Sequence, residues 1–341
     1  MPITIKDVAK KAGVSPSTVS RVLSNHPRIS KETARKVKTI MEELGYHQNV
    51  MARSLVSNKT YTLGMVLPRP AEELFQNHFF AENIRGITTQ ASRNGYDLLM
   101  TAGHSEAEEL TAVTRLVKGR RVDGIILLQS RRNDPIIAFL RNEGFPFVLI
   151  GHSEEEILCV DNDNVQAAFD ATQHLIAQGH ERIGFVSGPP HLTVSIDRLE
   201  GYRKAMNGHW LPMQPEWIVE GEFLQESGYR AMSYLMNLPE RPTALVVIDD
   251  IVTFGILRGL NELGYRVPDD LSLVSFNNIA LAELSSPPLS SVDIGIYQLG
   301  YMASQQLIRA IQDDHPLPLR TIVPHRLIVR ESSLNLKRNW S

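Results

Sequence analysis

Apolar residues in the first part of the chain recur at helical spacing in three short runs. Residues typical of helix ends bound these runs: Thr4, Ser15 and Ser30 precede them, and Gly13 ends the first. Two short helices joined by a tight turn that contains glycine are typical of a helix-turn-helix. The pattern therefore predicts an all-α headpiece with this motif over residues 1–46.

The second of these helices carries the candidate contacts to DNA, because the second helix of a helix-turn-helix lies in the major groove. Short hydroxyl side chains fit close to phosphates or base edges, and an arginine can make a bidentate contact to guanine. The candidates on and beside this helix are Ser15, Pro16, Ser17, Thr18, Ser20 and Arg21.

Beyond Thr60 the pattern changes to short apolar runs that alternate with helical stretches, which predicts parallel sheets with crossover helices. About eight strand–helix units are too many for one small sheet, so the sequence favours an α/β body of two lobes with a ligand cleft between them. The predicted strands are 63–67, 97–101, 124–128, 147–150, 183–187, 244–248, 271–276 and 322–329. The predicted helices include 80–94, 106–119, 164–178, 250–263 and 296–312.

The composition is that of a folded protein of two or three domains, with 341 residues of which 43% are hydrophobic and 21% charged. Cys159 is the single cysteine, which excludes a disulfide framework and a multi-cysteine metal site and suits a reducing compartment. No apolar run reaches the roughly 18 residues of a membrane span, and the first residues do not form an export signal. We therefore expect a cytoplasmic protein without membrane contact.

Charge is divided unevenly along the chain. Residues 1–60 contain 11 Lys and Arg against 4 Asp and Glu, whereas residues 61–341 contain 24 against 34. A basic amino-terminal unit on an acidic body is expected when one end of a protein meets a polyanion. On charge alone, the alternative is a solvated basic helical domain without a partner.

The headpiece sequence is similar to that of one family of transcription regulators. The run TIKDVAKKAGVS at residues 4–15, followed by TVSRVL at residues 18–23, closely resembles the headpiece of the lactose/galactose repressor (LacI/GalR) family. The resemblance implies a sequence-specific transcriptional repressor and not an enzyme. Its implied partner is double-stranded operator DNA, and it implies no cofactor and no metal.

The resemblance continues past the third helix into GYHQNVMARSL at residues 45–55. It implies that residues 47–60 are a hinge and linker, in which residues 49–57 form a short helix that folds on DNA and enters the minor groove. Leu55 would be the wedge that opens the central base step; the alternative is a leucine that covers apolar surface in the linker. Gln48 stands where the family has proline, which would leave the linker looser. The hinge residues implied to contact DNA are Asn49, Ala52, Arg53 and Leu55.

Residues 61–331 resemble the effector-binding and dimerisation core of the same family, which shares its fold with periplasmic sugar-binding proteins. The resemblance implies a homodimer, and the ten residues after the core are too few for the several heptads of a tetramerising coiled coil. The implied lobes are an N-lobe of 61–160 and 294–323 and a C-lobe of 161–292 and 325–335. The chain would cross between them near residues 159–162, 291–293 and 324–325.

Five residues match family positions that bind a small sugar between the lobes, and Asp161 is a sixth candidate because it ends a strand where the chain would cross between the lobes. Arg198 matches an arginine whose five donors suit a polyol, and the alternative is a structural arginine that pairs with Glu200 or a nearby carboxylate. Asp249 follows a strand at the edge where such sheets bind ligands, although it could also cap the next helix. Phe80 and Phe223 match positions that form an aromatic wall for a sugar ring; the alternative is that either belongs to the hydrophobic core. The complete set is Phe80, Asp161, Arg198, Phe223, Asp249 and Asn277.

Asn277 occupies a position that is usually aspartate in the family. Because an amide both donates and accepts hydrogen bonds whereas a carboxylate only accepts, the change favours a neutral sugar. Residues 276–287 and 291–294 look similar to repressors of maltose operons, which implies maltose or a related α-glucoside as the effector.

Two other functions remain open for a core of this fold, a sugar-processing enzyme and an exported sugar-binding protein. In an enzyme, Asp249 and Asp250 would act as acid and base, but adjacent residues rarely flank one bond. Two features argue against an exported sugar-binding protein: the sequence has no recognisable export signal, and such a protein does not need a basic headpiece. The run DNDN at residues 161–164 lacks the glycine and glutamate of a calcium loop, and the sequence contains no dinucleotide or Walker motif.

Overall fold

The computed structural model describes residues 3–23, 26, 28–46, 59–68, 77–312 and 317–334. The chain divides into two compact units, residues 1–60, which include the headpiece, and residues 61–341, called the core.

The headpiece is all-α, as the sequence predicts. The side chains of Ser15 and Ser30 each accept a hydrogen bond at 3.1 Å from the backbone N–H three residues later, and Asp7 accepts one at 2.9 Å from the backbone N–H of Thr4. These bonds satisfy donors that a helix leaves unpaired at its amino end. The helices are α1 (Ile5–Ala12), α2 (Pro16–Leu23) and α3 (Lys31–Leu44). Their apolar faces form one small core of Val8, Ala9, Ala12, Val19, Val22, Val37 and Ile40.

The first lobe of the core, called the N-lobe, is a six-stranded parallel sheet in the order β11-β5-β4-β3-β1-β2 with helices between the strands. Its strands read as nearly continuous apolar runs because crossover helices cover both faces of such a sheet. Its elements are β1 (Thr62–Leu67), α4 (His78–Arg93), β2 (Asp97–Ala102), α5 (Glu106–Lys118), β3 (Gly124–Leu127), α6 (Pro135–Asn142), β4 (Phe147–Ile150), β5 (Cys159–Asp161), α12 (Ile296–Ile311) and β11 (Arg320–Ile322).

The second lobe, called the C-lobe, is a six-stranded sheet in the order β12-β10-β9-β8-β6-β7, parallel except for the β12–β10 pair. Its elements are α7 (Asn164–Ala177), β6 (Ile183–Ser187), α8 (Thr193–Gly208), β7 (Ile218–Glu220), α9 (Gln225–Met236), β8 (Ala244–Val247), α10 (Asp250–Glu262), β9 (Ser272–Phe276), α11 (Ala280–Leu284), β10 (Ser290–Asp293) and β12 (Arg326–Ile328). The two parallel sheets and the all-α headpiece confirm the predicted fold class.

The chain passes from one lobe to the other between β5 and α7, between β10 and α12, and between β11 and β12. Asn162 joins these three segments: its buried side-chain amide donates to the carbonyls of Ile294 and Val323, both at 2.8 Å. The exact bounds of the lobes stay a prediction.

One predicted strand is wrong. Residues 322–329 do not form a single strand but belong to two short strands, β11 and β12, in different sheets. Pro324 lies between them, and a proline has no N–H to continue a ladder. The sequence reading also missed the short strands β5, β7 and β10.

Helices α4 and α12 approach each other closely enough for backbone to meet backbone. A Cβ atom on Gly86 of α4 would lie 2.2 Å from the carbonyl oxygen of Tyr297, and one on Gly300 of α12 would lie 2.2 Å from the carbonyl oxygen of Asn83. These distances leave no space for a side chain, so both glycines are required by packing.

We expect Gly86→Ala to lower the free energy of unfolding of the core by about 3 kcal/mol, because the two helices must separate to admit the methyl group. Thermal or urea unfolding measures the change. Gly208→Ala is the matched control: nothing lies within 4 Å of its Cβ position at the end of α8, so stability should stay constant or rise slightly. Equal stabilities for the two variants would contradict the close helix contact.

Candidate functional site

A cavity of about 890 Å³, including space open to solvent, lies between the two lobes at the carboxyl ends of the parallel strands. Open parallel sheets bind ligands at this edge. The structure brings all six predicted effector residues to the wall of this one cavity: Phe80, Asp161, Arg198, Phe223, Asp249 and Asn277. These residues are separated by up to 197 positions in sequence, and Phe80 and Asp161 come from the N-lobe whereas the other four come from the C-lobe.

The carboxylate of Asp249 accepts hydrogen bonds from residues of both lobes. Its Oδ1 accepts from the backbone N–H of Ile251 at 2.6 Å, which makes it the cap of α10, as the alternative interpretation of this residue expects. Its Oδ2 accepts from Nδ2 of Asn277 at 2.7 Å, and the side chain of Asn77 in the N-lobe also hydrogen-bonds to it. Burial raises the pKa of Asp249 to about 6, although these hydrogen bonds favour the carboxylate.

Arg198 is a buried cation held in a fixed orientation. Nε donates to Oδ1 of Asn164 at 3.0 Å, Nη1 donates to the carbonyl of Ile248 at 2.7 Å, and the guanidinium lies 4.0 Å from the ring centre of Phe276. Burial lowers its pKa to about 10, so it stays charged at neutral pH, helped by the nearby Asp249. Of the alternative partners, Glu200 binds Lys204 at 2.7 Å, whereas Asp249 is a nearby carboxylate that favours the charged guanidinium.

Asp161 ends β5 and is held from two directions. Its Oδ2 accepts from Nη2 of Arg320 at 3.0 Å, and its Oδ1 accepts from Nδ2 of Asn164 at 3.1 Å. Since Asn164 also binds Arg198, one amide links the predicted acidic and basic groups. Burial raises the pKa of Asp161, and Arg320 opposes that rise.

The lobes also contact each other directly beside the cavity. The backbone N–H of Thr193 donates to the carbonyl of Ser130 at 3.2 Å, and His152 Nδ1 lies 3.2 Å from Asp197 Oδ2. Each contact joins an N-lobe loop to α8 of the C-lobe. A change in the angle between the lobes must therefore break or reform polar contacts around the cavity.

Sequence reasoning missed several polar residues of the wall. Gln129 and Ser130 follow β3, and the rule that ligands bind at the carboxyl ends of strands could have found them. Asn77 caps α4, and nothing in its local sequence indicates a contact with a residue 172 positions away. The missed polar residues are Asn77, Gln129, Ser130, Asn162, Asn164 and Thr193.

Asp250, beside the cavity residue Asp249, is a buried acid that faces neutral donors. Its Oδ2 accepts from the backbone N–H of Ile279 at 2.9 Å and its Oδ1 from the hydroxyl of Ser291 at 2.8 Å. Burial, reinforced by the neighbouring Asp249, raises its pKa to about 7. Because the pKa of Asp250 is higher in the folded than in the unfolded chain, protonated Asp250 stabilises the fold. This stabilisation is complete below pH 4 and is lost as pH rises through about 7.

We expect the stability of Asp250→Asn, measured relative to the wild type, to increase with pH. At pH 5 the variant should be less stable than the wild type, because the asparagine loses one of the two acceptor contacts. The asparagine does not ionise as pH rises, whereas Asp250 does. The difference in free energy of unfolding between the two proteins should therefore narrow by about 1 kcal/mol or more by pH 8. Urea unfolding across this pH range measures the difference. Asp97→Asn, a change at an exposed residue, controls for the change in charge. A stability difference between Asp250→Asn and the wild type that stays constant from pH 5 to 8 would show that Asp250 does not titrate in this range.

The headpiece presents its predicted DNA contacts on one helix. Ser15, Pro16, Ser17 and Arg21 are exposed, and Thr18 and Ser20 are partly exposed. The hydroxyl of Ser15 lies 2.7 Å from that of Ser17 and 2.9 Å from that of Thr18, so these three also stabilise the start of α2. The predicted hinge contacts fall in residues 47–58, outside the described residues: Asn49, Ala52, Arg53 and Leu55.

Among the described residues, no group of three or more His, Cys, Asp or Glu side chains is placed to hold a metal ion. None of the helices in the described ranges is both long enough and apolar enough to cross a bilayer.

Family models match both units. The model described as "Bacterial regulatory proteins, lacI family" matches residues 4–49, and that of a "Periplasmic binding protein-like domain" matches residues 172–333. The HTH-type transcriptional regulator MalR of Streptococcus pneumoniae is 38% identical over 336 residues, which cover 96% of this chain and 99% of the relative. The chain belongs to the LacI family. The resemblance stated from the headpiece sequence is thereby confirmed.

Solved structures of the family match over nearly the whole length. A complex of the transcriptional regulator CelR with cellobiose has a TM-score of 0.75 at 31% identity and covers 97% of this chain and 99% of its own. The lac repressor dimer bound to operator has a TM-score of 0.86 at 26% identity, and the match covers 98% of this chain and 100% of the lac repressor chain. As a LacI-family member the protein is a DNA-binding transcriptional repressor and not an enzyme.

Proposed function

We propose that this repressor binds a small neutral sugar in the cavity between its lobes and that the bound sugar lowers its affinity for operator DNA. The observation that carries the proposal is the convergence of six predicted effector residues, distant in sequence, on one cavity. The cavity lies at the carboxyl ends of the parallel strands, the edge where sheets of this kind bind ligands.

The wall supplies the groups that a polyol requires. Arg198 is fixed by bonds from Nε and Nη1, and we propose that Nη2 donates to sugar hydroxyls. Asn277 donates from Nδ2 to Asp249, and we propose that its Oδ1 accepts from a sugar hydroxyl. Phe80 and Phe223, which both line the cavity, would pack on the apolar C–H face of the ring.

A sugar that touches both lobes favours the lobe arrangement in which both sets of contacts form. The polar contacts beside the cavity, such as Thr193 with Ser130, would follow that arrangement. We propose that the change disfavours folding of the hinge at residues 49–57 and so weakens operator binding. Couplings of this kind are typically about 1–3 kcal/mol.

We propose that the protein acts as a homodimer on a pseudo-palindromic operator. Two copies of α2 must enter the major groove on one face of the duplex, which sets an operator length of about 14–20 base pairs. The contacts would come from Ser15, Pro16, Ser17, Thr18, Ser20 and Arg21, together with the hinge residues Asn49, Ala52, Arg53 and Leu55. The lac repressor, which matches along the whole chain, is a dimer bound to operator.

For the effector itself we propose maltose or a related α-glucoside. The support is the similarity of residues 276–287 to repressors of maltose operons and the amide at Asn277, which suits a neutral ligand. The relative solved with cellobiose supports a disaccharide more broadly.

A thermal-shift screen of the full chain against mono- and disaccharides, with maltose and cellobiose included, tests the ligand class. A sugar at 100 times its dissociation constant adds about 2.7 kcal/mol of stability, which is a clear rise in Tm. A set of amino acids and nucleosides controls for other ligand classes. A rise with one of those and with none of the saccharides would overturn the proposal.

A further inference from the structure

The N-lobe has a second edge, opposite the cavity, where its parallel strands begin. Thr62 pairs with Asp97, Leu63 pairs with Gly124, and the N–H of Ile125 donates to Pro146 at 3.0 Å, so the loops before β2, β3 and β4 lie side by side. The carboxyl end of α12 reaches the same edge, where its side chains pack on Gly124. We call these segments the amino edge of the N-lobe; they are residues 93–97, 115–123, 141–147 and 309–312.

The amino edge is basic although the core as a whole is acidic. Its described residues contain seven Lys and Arg against three Asp and Glu. Asp313 and Asp314 follow in the sequence, outside the described residues, and with them the edge still has seven cations against five acids. Lys118 pairs with Glu143 at 2.5 Å and Arg141 pairs with Glu155. Six of the cations are exposed: Arg93, Arg115, Lys118, Arg120, Arg121 and Arg141.

The helix dipole alone does not explain this charge. Cations stabilise the carboxyl end of any helix, and each of the four N-lobe helices among the described residues has Lys or Arg in its last turn. The C-lobe repeats the same strand order, yet α8, α9 and α10 have no basic residue there and α7 has only His174. The corresponding C-lobe segments contain three Arg against six Asp and Glu; they are residues 177–183, 207–217, 236–244 and 262–272. The basic charge therefore belongs to one lobe, not to the fold.

The chain from the headpiece joins the core at this basic edge. The backbone N–H of Tyr61, the first residue of the core, donates to Oδ2 of Asp123 at 2.8 Å, and Asp123 directly follows the pair Arg121-Val122. The 14 residues from 47 to 60 can span at most about 50 Å when fully extended. DNA held by the headpiece is therefore within reach of the amino edge.

We propose that the amino edge of the N-lobe contacts the phosphate backbone of the duplex that the headpiece binds. The inference rests on the proposed operator binding and adds a second DNA-contacting surface within the core. Phosphate contacts by Lys and Arg add affinity without sequence preference, and they make binding depend more steeply on salt because each contact releases counterions.

The test compares two double variants of the full chain on a 40-base-pair duplex centred on an operator that the wild type selects from a random pool. Arg115→Gln with Arg121→Gln removes two exposed cations of the amino edge. Arg203→Gln with Lys204→Gln removes two exposed cations from α8 and matches the change in net charge. Affinity is measured from about 50 to 200 mM salt, and Tm shows that each variant is folded.

We expect the amino-edge variant to reduce the slope of log K against log salt by about 4, because the proposed homodimer loses two cations from each chain, and to weaken binding roughly tenfold or more near 0.1 M salt. The α8 variant should keep the wild-type slope. Equal slopes for the wild type and the amino-edge variant would overturn the inference while leaving the proposed function intact, and they would favour an acidic protein as the partner of this edge. A wild type that selects no duplex would instead overturn the proposed function, and this inference with it.

Discussion

Arg198→Ala is expected to give a repressor that stays on its operator at sugar concentrations that release the wild type. The guanidinium is buried between the two lobes and is fixed by Asn164 and Ile248, so no other side chain can replace its donors. Loss of two or more charged hydrogen bonds to the ligand should reduce sugar affinity by at least about 100-fold. Operator affinity without sugar should be unchanged, because the substitution lies in the core. Calorimetry and an operator-binding titration measure the two quantities.

The substitution also removes a cation that favours the ionised form of Asp249, so stability must be checked. A folded variant is identified by a cooperative thermal transition, and Arg198→Lys keeps the charge if the alanine variant unfolds. Lys204→Ala, an exposed change on the same helix, is the matched control. A normal response of folded Arg198 variants at wild-type sugar concentrations would show that the effector binds elsewhere.

Arg21→Ala is expected to abolish sequence-specific operator binding while sugar affinity stays constant. Arg21 is exposed on α2, whereas the neighbouring Val19 and Val22 are buried in the headpiece core, so the helix should remain folded. A bidentate contact from arginine to guanine is worth about 1–3 kcal/mol, and a dimer would lose two of them. Competition between the selected operator and a scrambled duplex measures the loss.

Arg35→Ala, which removes an exposed arginine from α3, controls for the loss of charge in the same unit. It should weaken binding to both duplexes by similar factors and keep the discrimination between them. Discrimination that survives in the Arg21 variant would contradict the assignment of α2 as the helix that reads the bases.

The elements with strong local signals were predictable from sequence. Capping residues such as Ser15 and Ser30 located the headpiece helices, since a cap is a contact between residues three apart. The long apolar strands were also found. Short strands of three or four residues, such as β5 and β7, have too few positions for a pattern. Pro324 divides what otherwise resembles one apolar strand into β11 and β12.

The cavity was predictable only in part, because its wall is assembled from distant segments. Asp249 and Asn277 follow strands, and the edge rule for parallel sheets indicates such residues. Asn77 and Asn164 are isolated amides whose roles depend on partners in other elements, Asp249 for the first and both Asp161 and Arg198 for the second. The contact of Asn77 with Asp249 exists only after the two lobes have come together, and that of Asn164 with Arg198 only after α7 and α8 have packed.

The most direct test of sugar-controlled repression is the operator affinity of the full chain, measured at one salt concentration with and without a saturating saccharide that raises its Tm. We predict a fall in affinity of about 5- to 150-fold, the range that a coupling of about 1–3 kcal/mol gives. An affinity that is the same with and without a saccharide known to occupy the cavity would contradict the coupling of the two sites.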